Sequence, residues 1–152
     1  MSTIREQIVA EAKSYLDDGT GKPVRWRHQG RTRRGVDCAG LIACVAHEVV
    51  PGFEEDYTNY LRWPGQETVQ TYANKWAKLK DVNDAKPGDV LIMMDVVPGW
   101  PCHFAFVVEG VYPNLKIIHS AAVPRPRVQM HGLTNDWVGR IVSCYEFHGI
   151  ED

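Results

Sequence analysis

Apolar side chains in the first half of the chain recur every three to four residues, which is the spacing of one helix face. This spacing predicts a first helix from Thr3 to Leu16, a second that begins at Cys38, and a third from Gln66 to about Trp76. The second helix is apolar along most of its length, which is typical of a buried helix. The polar and basic stretch 19–35 predicts a long loop that leads to Cys38.

The second half of the chain changes to the period-two alternation of strands. Four strands are predicted, and they are Val90 to Met93, His103 to Val108, Leu115 to Ser120 and Val138 to Phe147. Helices therefore come first and strands follow, which favours an α+β domain with an antiparallel sheet over alternating βαβ units. A chain of 152 residues is long enough for one core, so we expect a single domain over residues 1–152.

The composition is that of an ordinary globular protein, with 44% hydrophobic and 24% charged residues. Seventeen basic and nineteen acidic side chains give a net charge of −2, which argues against a nucleic-acid partner. The N-terminus has no apolar signal segment, and no window approaches the ~20 apolar residues of a membrane span. We therefore expect synthesis in the cytoplasm without a signal peptide and no membrane span.

The sequence contains four cysteines, which are Cys38, Cys44, Cys102 and Cys144. Because no secretion signal is recognised, we expect all four to be free thiols. No C-x-x-C pair occurs, and neighbouring side chains on an extended strand, such as Cys102 and His103, cannot readily reach one ion. The sequence therefore predicts no metal site.

The segment Gly35-Val36-Asp37-Cys38-Ala39-Gly40-Leu41 places one cysteine at the start of the second helix. Asp37 suits the N-cap position. Unsatisfied N–H groups and the helix dipole favour a thiolate there, and such sites lower a cysteine pKa from about 8.5 to roughly 3.5–7.5. Unpaired cysteine is also among the most buried residue types, so the motif alone leaves a structural role open.

Two histidines are candidate partners for this thiol. Strand alternation places His103 on the same sheet face as Ala105 and Val107. If the following hairpin is symmetric about Val111, His119 lies directly opposite His103, with Cβ atoms about 4.5–5.5 Å apart. A cysteine at a helix start, a basic imidazole and a second polar group then match the nucleophile, base and orienting group of acyl transfer.

The remaining histidines and a basic cluster have weaker assignments. His28 lies on the loop before Cys38 and is expected to line the site, whereas His47, His131 and His148 are expected at the surface. The basic cluster of the same loop is either a solvated loop or a contact for an acidic substrate; its members are Arg25, Arg27, Arg31, Arg33 and Arg34.

Four motifs in order along the chain resemble the NlpC-type cell-wall cysteine peptidases, a papain-like family with a nucleophile-bearing helix packed on an antiparallel sheet. The motifs are Asp37 to Leu41, Pro87 to Met93, His103 to Gly110, and Ile118-His119-Ser120. The resemblance implies that Cys38 is the nucleophile, His103 the general base and His119 the third polar residue. It implies no cofactor, because cysteine–histidine acyl chemistry needs none.

Further features are similar to phage-tail and prophage members of that family: the segment Arg27-His28-Gln29-Gly30-Arg31, and Trp137 with Phe147-His148-Gly149. They imply a tail-associated lysin that acts on the cell wall, with tail proteins as partners. Trp26 stands near the position where the family usually carries a tyrosine. The expected substrate contacts are Trp26, His28, Arg34 and Asp37.

The implied reaction is hydrolysis of a peptidoglycan stem peptide at the amide between D-γ-glutamyl and a diamino acid. The backbone N–H of Cys38 is the expected oxyanion donor. Two alternatives stay open. One is a papain-like acyltransferase or amidase toxin that uses the same Cys-His pair, and the other is a non-catalytic tail structural or wall-binding module.

Overall fold

The computed structural model describes residues 2–56, 58, 60, 66–94, 101–123 and 125–150, and leaves out the side chains of 66–68 and 101–102. The three longer helices lie where the apolar spacing predicts them: α1 (Ile4–Ser14), α2 (Cys38–Val49) and α3 (Gln66–Trp76). A short α4 (Asn135–Val138) and a 3₁₀ turn (Val82–Asp84) complete the described helices. Each long helix is amphipathic or buried, and its apolar side faces the sheet.

Eight strands are described, in two sheets. The predicted loop contains a small hairpin of β1 (Arg31–Thr32) and β2 (Gly35–Val36). The other six strands form one antiparallel sheet; they are β3 (Ala77–Lys80), β4 (Val90–Met94), β5 (Pro101–Val111), β6 (Asn114–Ala121), β7 (Arg127–Gly132) and β8 (Ile141–Phe147). Their order across the sheet is β3-β8-β4-β5-β6-β7. The α+β class with a central antiparallel sheet is confirmed.

Besides the small hairpin of β1 and β2, the sequence missed two strands of the six-stranded sheet, and these are its two edges. In β3, Lys78 and the 61% exposed Leu79 are both exposed although they point to opposite faces, so apolar alternation does not mark the strand. In β7, Val128 is buried but Met130 is 40% exposed. Edge strands bury little of their surface and carry polar side chains, so their period-two signal is weak. The predicted strand beginning at Val138 was wrong at its start, because that residue ends α4.

The sheet has a helix-covered face and a thinner opposite face. Helices α1, α2 and α3 pack on the first around aromatic residues such as Phe104 and Phe106. The second holds a smaller apolar cluster that includes Ala105, Val107 and Ile117. Within the described ranges, no helix is both long and apolar enough to cross a membrane.

Candidate active site

Cys38 is the first residue of α2, and the local sequence explains why the helix begins there. Asp37 has an extended backbone and accepts a hydrogen bond from Gly40 N at 2.7 Å, so it is the N-cap that the sequence predicts. A side chain at position 40 would collide with the Gly30 carbonyl, so the loop approaches the helix at a distance that only glycine permits. The half-buried Cys38 is thus presented at a tightly packed helix start.

The Asp37 carboxylate joins the loop, the helix and a tyrosine. Its Oδ1 accepts from Gly40 N and lies 3.3 Å from Arg31 Nη1. Its Oδ2 accepts from Gln29 N at 2.7 Å and from the Tyr60 hydroxyl at 2.6 Å. Asp37 is buried and both its oxygens already have protein donors, so these bonds argue against the substrate contact predicted for it and indicate a structural role.

Arg31 and Tyr60 keep this carboxylate compensated. Burial alone would lower the pKa of Arg31, but the hydrogen bond to Asp56 and the contacts with Tyr60 and Asp37 raise it overall. Burial and the Asp37 charge raise the pKa of Tyr60, so its hydroxyl stays protonated and donates to Asp37. A negative charge one residue before the thiol would oppose a thiolate, and these partners reduce that effect.

Two members of the basic cluster are paired with acidic side chains of the protein. Arg31 is committed to Asp37 and Asp56. Arg33 pairs with Glu11 at 3.0 Å and stacks over the Tyr15 ring at 4.2 Å, which anchors the loop to α1. Arg31 and Arg33 therefore already have acidic partners within the protein, which favours a structural role over a substrate contact for these two side chains.

The predicted substrate contacts Trp26, His28 and Arg34 lie on the loop before Cys38. Trp26 N donates to the Pro126 carbonyl at 2.8 Å, so the loop is attached to the entry of β7. The Trp26 and His28 rings are stacked with centroids 6.5 Å apart. Arg34 is exposed and lines a cavity of about 540 Å³ whose other lining residues are Asp18, Arg25, Trp26, Arg27 and Arg33.

The buried histidines His103 and His119 form a direct hydrogen bond. His103 Nε2 lies 2.7 Å from His119 Nδ1, and the two rings meet edge to face with centroids 4.9 Å apart. Ser120, the residue after His119, donates to the Val36 carbonyl at 2.6 Å. That bond fastens the strand carrying His119 to the segment that ends at Cys38. Helix α2 also packs on β5, the strand that carries His103.

The hairpin register predicted from symmetry about Val111 was wrong, although the two rings still meet. The observed pairs are Phe106 with Ile118 and Val107 with Ile117. Continuing that register places His119 opposite position 105, two residues along the strand from His103. A two-residue shift leaves a side chain on the same face, and a bulge near the turn absorbs the odd residue.

His131 extends this contact to a third ring, which makes its prediction as a surface residue wrong. Its Nε2 lies 2.8 Å from His119 Nε2, and its Nδ1 lies 3.0 Å from the Gly132 carbonyl. Trp137 packs beside both rings, with centroids 4.8 Å from His131 and 5.4 Å from His119. Finding this residue required the register of β7 on β6, which local patterns do not reveal.

His119 is a neutral imidazole at physiological pH. Burial, and to a smaller extent the neighbouring rings of His103 and His131, lowers its pKa from 6.5 to about 2. A charged ring there would lie in an apolar setting next to two other imidazoles. His119 therefore accepts with one nitrogen and donates with the other.

Two other cysteines have the opposite character from a reactive thiol. Burial raises the pKa of Cys44, although a hydrogen bond with Tyr15 opposes the shift. Burial raises the pKa of Cys144 to about 12. Both stay protonated at neutral pH, as expected for thiols that serve as small core side chains.

No protein-family model matches the sequence, and no curated protein matches it. Solved structures do match the fold. The NlpC/p60 domain of peptidoglycan hydrolase SagA has a TM-score of 0.65 and 21% identity over 94% of this chain and 98% of that one. A protein from Staphylococcus aureus described as similar to lipoprotein, NLP/P60 family, has a TM-score of 0.63 and 18% identity over 98% of this chain.

A third structure, Ly7917 with the hydrolyzing product of MDP, has a TM-score of 0.60 and 12% identity over 97% of this chain. This chain spans nearly all of the SagA domain, 42% of the S. aureus protein and 64% of Ly7917. The chain therefore has the fold of NlpC/p60 domains, which confirms the fold that the resemblance of its four motifs implies.

Proposed function

We propose that this chain, with its NlpC/p60 fold, is a single-domain cysteine peptidase that hydrolyses the peptide part of bacterial peptidoglycan. Cys38 is the nucleophile, His103 the general base and His119 the group that orients His103. The observation that carries this proposal is the buried hydrogen bond of 2.7 Å between His103 Nε2 and His119 Nδ1. It leaves His103 Nδ1 as the ring nitrogen for exchanging a proton with the thiol.

The proposed reaction follows acyl transfer to a thiol. The Cys38 proton passes to His103 Nδ1, and the thiolate attacks the amide carbonyl carbon, whose oxygen becomes an oxyanion. The Cys38 backbone N–H is the proposed oxyanion donor. Collapse breaks the C–N bond, and the leaving amine takes the proton from His103. Water, deprotonated by the same imidazole, then hydrolyses the thioester and restores the thiol.

The structural neighbours support a cell-wall substrate. SagA is described as a peptidoglycan hydrolase, and Ly7917 is described with a hydrolysis product bound. We propose cleavage of the amide between D-γ-glutamyl and a diamino acid, with Trp26, His28 and Arg34 as substrate contacts. Stem peptides carry carboxylates, and Arg34 is an exposed cation on the loop before Cys38. A tail-associated role stays a prediction.

The test is digestion of purified peptidoglycan and of a D-γ-glutamyl-diaminopimelate peptide in water enriched in ¹⁸O. Hydrolysis predicts one ¹⁸O atom in each new carboxyl group and loss of all turnover in Cys38→Ala. Cys44→Ala is the matched control, because Cys44 lies in the same helix α2 and its thiol stays protonated. We expect this substitution to leave turnover intact.

Equal turnover by Cys38→Ala would contradict the proposal. Products without ¹⁸O, carrying the acyl group on an added amine or alcohol, would favour the acyltransferase alternative. Binding to walls without any cleavage would favour the binding module.

A further inference from the structure

We propose that His131 is a positioning residue that, together with the Gly132 carbonyl, sets the tautomer of His103 through His119. The three rings, here called the histidine relay, form a chain of hydrogen bonds from β5 across β6 to β7. This inference rests on the proposed function, because it explains how the base for Cys38 is held ready. It goes further by giving a role to a residue outside the Cys-His-His set.

The direction of the relay follows from its outer end. A carbonyl oxygen can only accept, so the 3.0 Å contact between His131 Nδ1 and the Gly132 oxygen requires the proton to be on Nδ1. A neutral imidazole has one N–H, so His131 Nε2 is then an acceptor. The nitrogen that faces it, His119 Nε2, lies 2.8 Å away and must be the donor.

The middle ring continues the hydrogen-bond chain in the same direction. His119 is neutral and spends its one proton on Nε2, so its Nδ1 is an acceptor. His103 Nε2, at 2.7 Å, must therefore donate to it. Neutral His103 then has no proton on Nδ1, which is the form that can take a proton from Cys38. Every bond in the relay points outward, from the base toward the Gly132 carbonyl.

The two inner rings of the relay are shielded from solvent, whereas the outer bond between His131 and the Gly132 carbonyl is exposed. His103 and His119 are 4% and 2% exposed, and the Trp137 ring covers His119 and His131. The Arg140 guanidinium lies 4.7 Å from the Trp137 centroid. Loss of the His131 acceptor would free His119 to hold its proton on Nδ1. His103 would then have to accept through Nε2, and its own proton would lie on Nδ1, where it blocks the base.

The direct test is the tautomeric state of each ring, read from long-range ¹H–¹⁵N correlations of ¹⁵N-histidine protein at pH 8. The full chain is used as Cys38→Ala, so that no thiol proton reaches His103. We expect the proton on Nδ1 in His131 and on Nε2 in His119 and His103. Adding His131→Phe is expected to move a detectable fraction of the proton to Nδ1 in both inner rings. Nδ1–H in His119 before that change, or unchanged tautomers after it, would overturn the proposal.

Kinetics separate positioning from folding. In the protein with Cys38 intact, His131→Phe keeps an aromatic ring at this position but removes the nitrogen that accepts from His119 Nε2. We expect kcat to fall by roughly 10- to 100-fold with KM nearly unchanged. His131→Gln offers an amide oxygen to His119 Nε2 and is expected to recover most of kcat. His148→Phe, at an exposed histidine after β8, is the matched control and is expected to match the wild type.

The outcomes remain distinguishable. Equal kcat in the Phe and Gln variants would contradict the positioning role. A wild-type protein with the expected tautomers but no hydrolysis would refute the proposed function while leaving the tautomer assignment standing.

Discussion

Two buried polar clusters lie on the same sheet, and they differ in how their polar groups are compensated: one by hydrogen bonds between imidazole rings and the other by ion pairs. The histidine relay is a row of hydrogen-bonded rings whose central member is held neutral. The second cluster, here called the ion-pair network, consists of Arg5, Lys80, Asp89 and Glu146. Fully buried Asp89 lies 2.6 Å from Arg5 Nη1 and 2.8 Å from Lys80 Nζ, and Arg5 also reaches Glu146 at 2.9 Å.

Of the two clusters, only the histidine relay is suited to guiding a proton. The ion-pair network joins α1 to β3, the start of β4 and β8, and its charges are matched, so moving a proton would leave a buried charge unpaired. In the relay the central ring is held neutral and the rings donate and accept in series, so the cluster orients His103 without storing a charge. The sequence motif Pro87-Gly88-Asp89 therefore has a structural explanation, because Gly88 has φ +98° and packs against Arg5.

The largest expected effect is the loss of kcat when His103, the innermost ring of the relay, is replaced. His103→Gln keeps a polar side chain but lacks a base, so we expect kcat for peptide hydrolysis to fall by roughly 10²- to 10⁴-fold. His47→Gln, an exposed histidine beside Phe53, is the control. Steady-state rates on the peptide substrate check this, and retention of wild-type kcat would remove His103 from the mechanism.

The corresponding substitution in the ion-pair network is expected to lower stability and to leave activity unchanged. Asp89→Asn leaves Arg5 and Lys80 facing a neutral amide, and we expect the free energy of unfolding to fall by about 3–5 kcal/mol. Activity per folded molecule is expected to stay unchanged. Lys78→Ala is the control, because its pair with Glu146 is 66% exposed on the lysine side and is worth at most about 1 kcal/mol. Urea unfolding measures both, and equal effects would contradict the contrast.

The parts of this picture that depend on neighbouring residues could be predicted from the sequence. The Asp37 cap, the start of α2 and the bounds of α3 follow from local spacing and capping chemistry. The relay could be predicted only in part. The shared face of His103 and His119 follows from alternation, but their register depends on a bulge, and His131 belongs to an edge strand without a clear apolar pattern.

The ion-pair network was also outside the reach of sequence patterns. Arg5 lies on the first helix, and its partners Asp89 and Glu146 are 84 and 141 positions away. Only the packing of α1 against the sheet brings these charges together. Long-range pairing of this kind has no periodic signal in the chain.

Acid is expected to weaken the two clusters in different pH windows. His119 has a pKa of about 2 in the folded protein and 6.5 as its ordinary value, so below pH 6.5 the unfolded chain binds a proton that the native chain excludes. Stability from this group is fully present above pH 6.5 and falls by about 2 kcal/mol by pH 5. Comparing the free energy of unfolding of wild type and His119→Gln at pH 7.5 and 5 isolates this loss.

The ion-pair network is expected to hold through that window. Burial alone would raise the pKa of Glu146, but Lys78 and Lys80 lower it below its ordinary value of 4.5. Its contribution is therefore present above pH 4.5 and is lost only in stronger acid. If the difference between wild type and His119→Gln is the same at pH 7.5 and 5, the neutral state assigned to His119 is wrong.

The smallest effect is expected at the exposed ion pair of the loop. Arg33→Ala removes the pair with Glu11 and the stacking on Tyr15, and we expect a loss of about 0.5–1 kcal/mol in unfolding free energy. KM is expected to stay unchanged, whereas Arg34→Ala is expected to raise it. Thermal unfolding and substrate titration of both variants check this. A raised KM in Arg33→Ala with an unchanged KM in Arg34→Ala would make Arg33, and not Arg34, the substrate contact.

The central claim is that the fold makes Cys38 a reactive thiol. The most direct measurement is the rate of iodoacetamide alkylation of Cys38 at pH 6, followed by peptide mass mapping, in the native protein and in the urea-unfolded chain. We expect native Cys38 to react roughly ten times faster, or more, than the same residue in the unfolded chain. We also expect His103→Gln to remove this advantage. Native Cys38 reacting no faster than unfolded Cys38 would contradict the account.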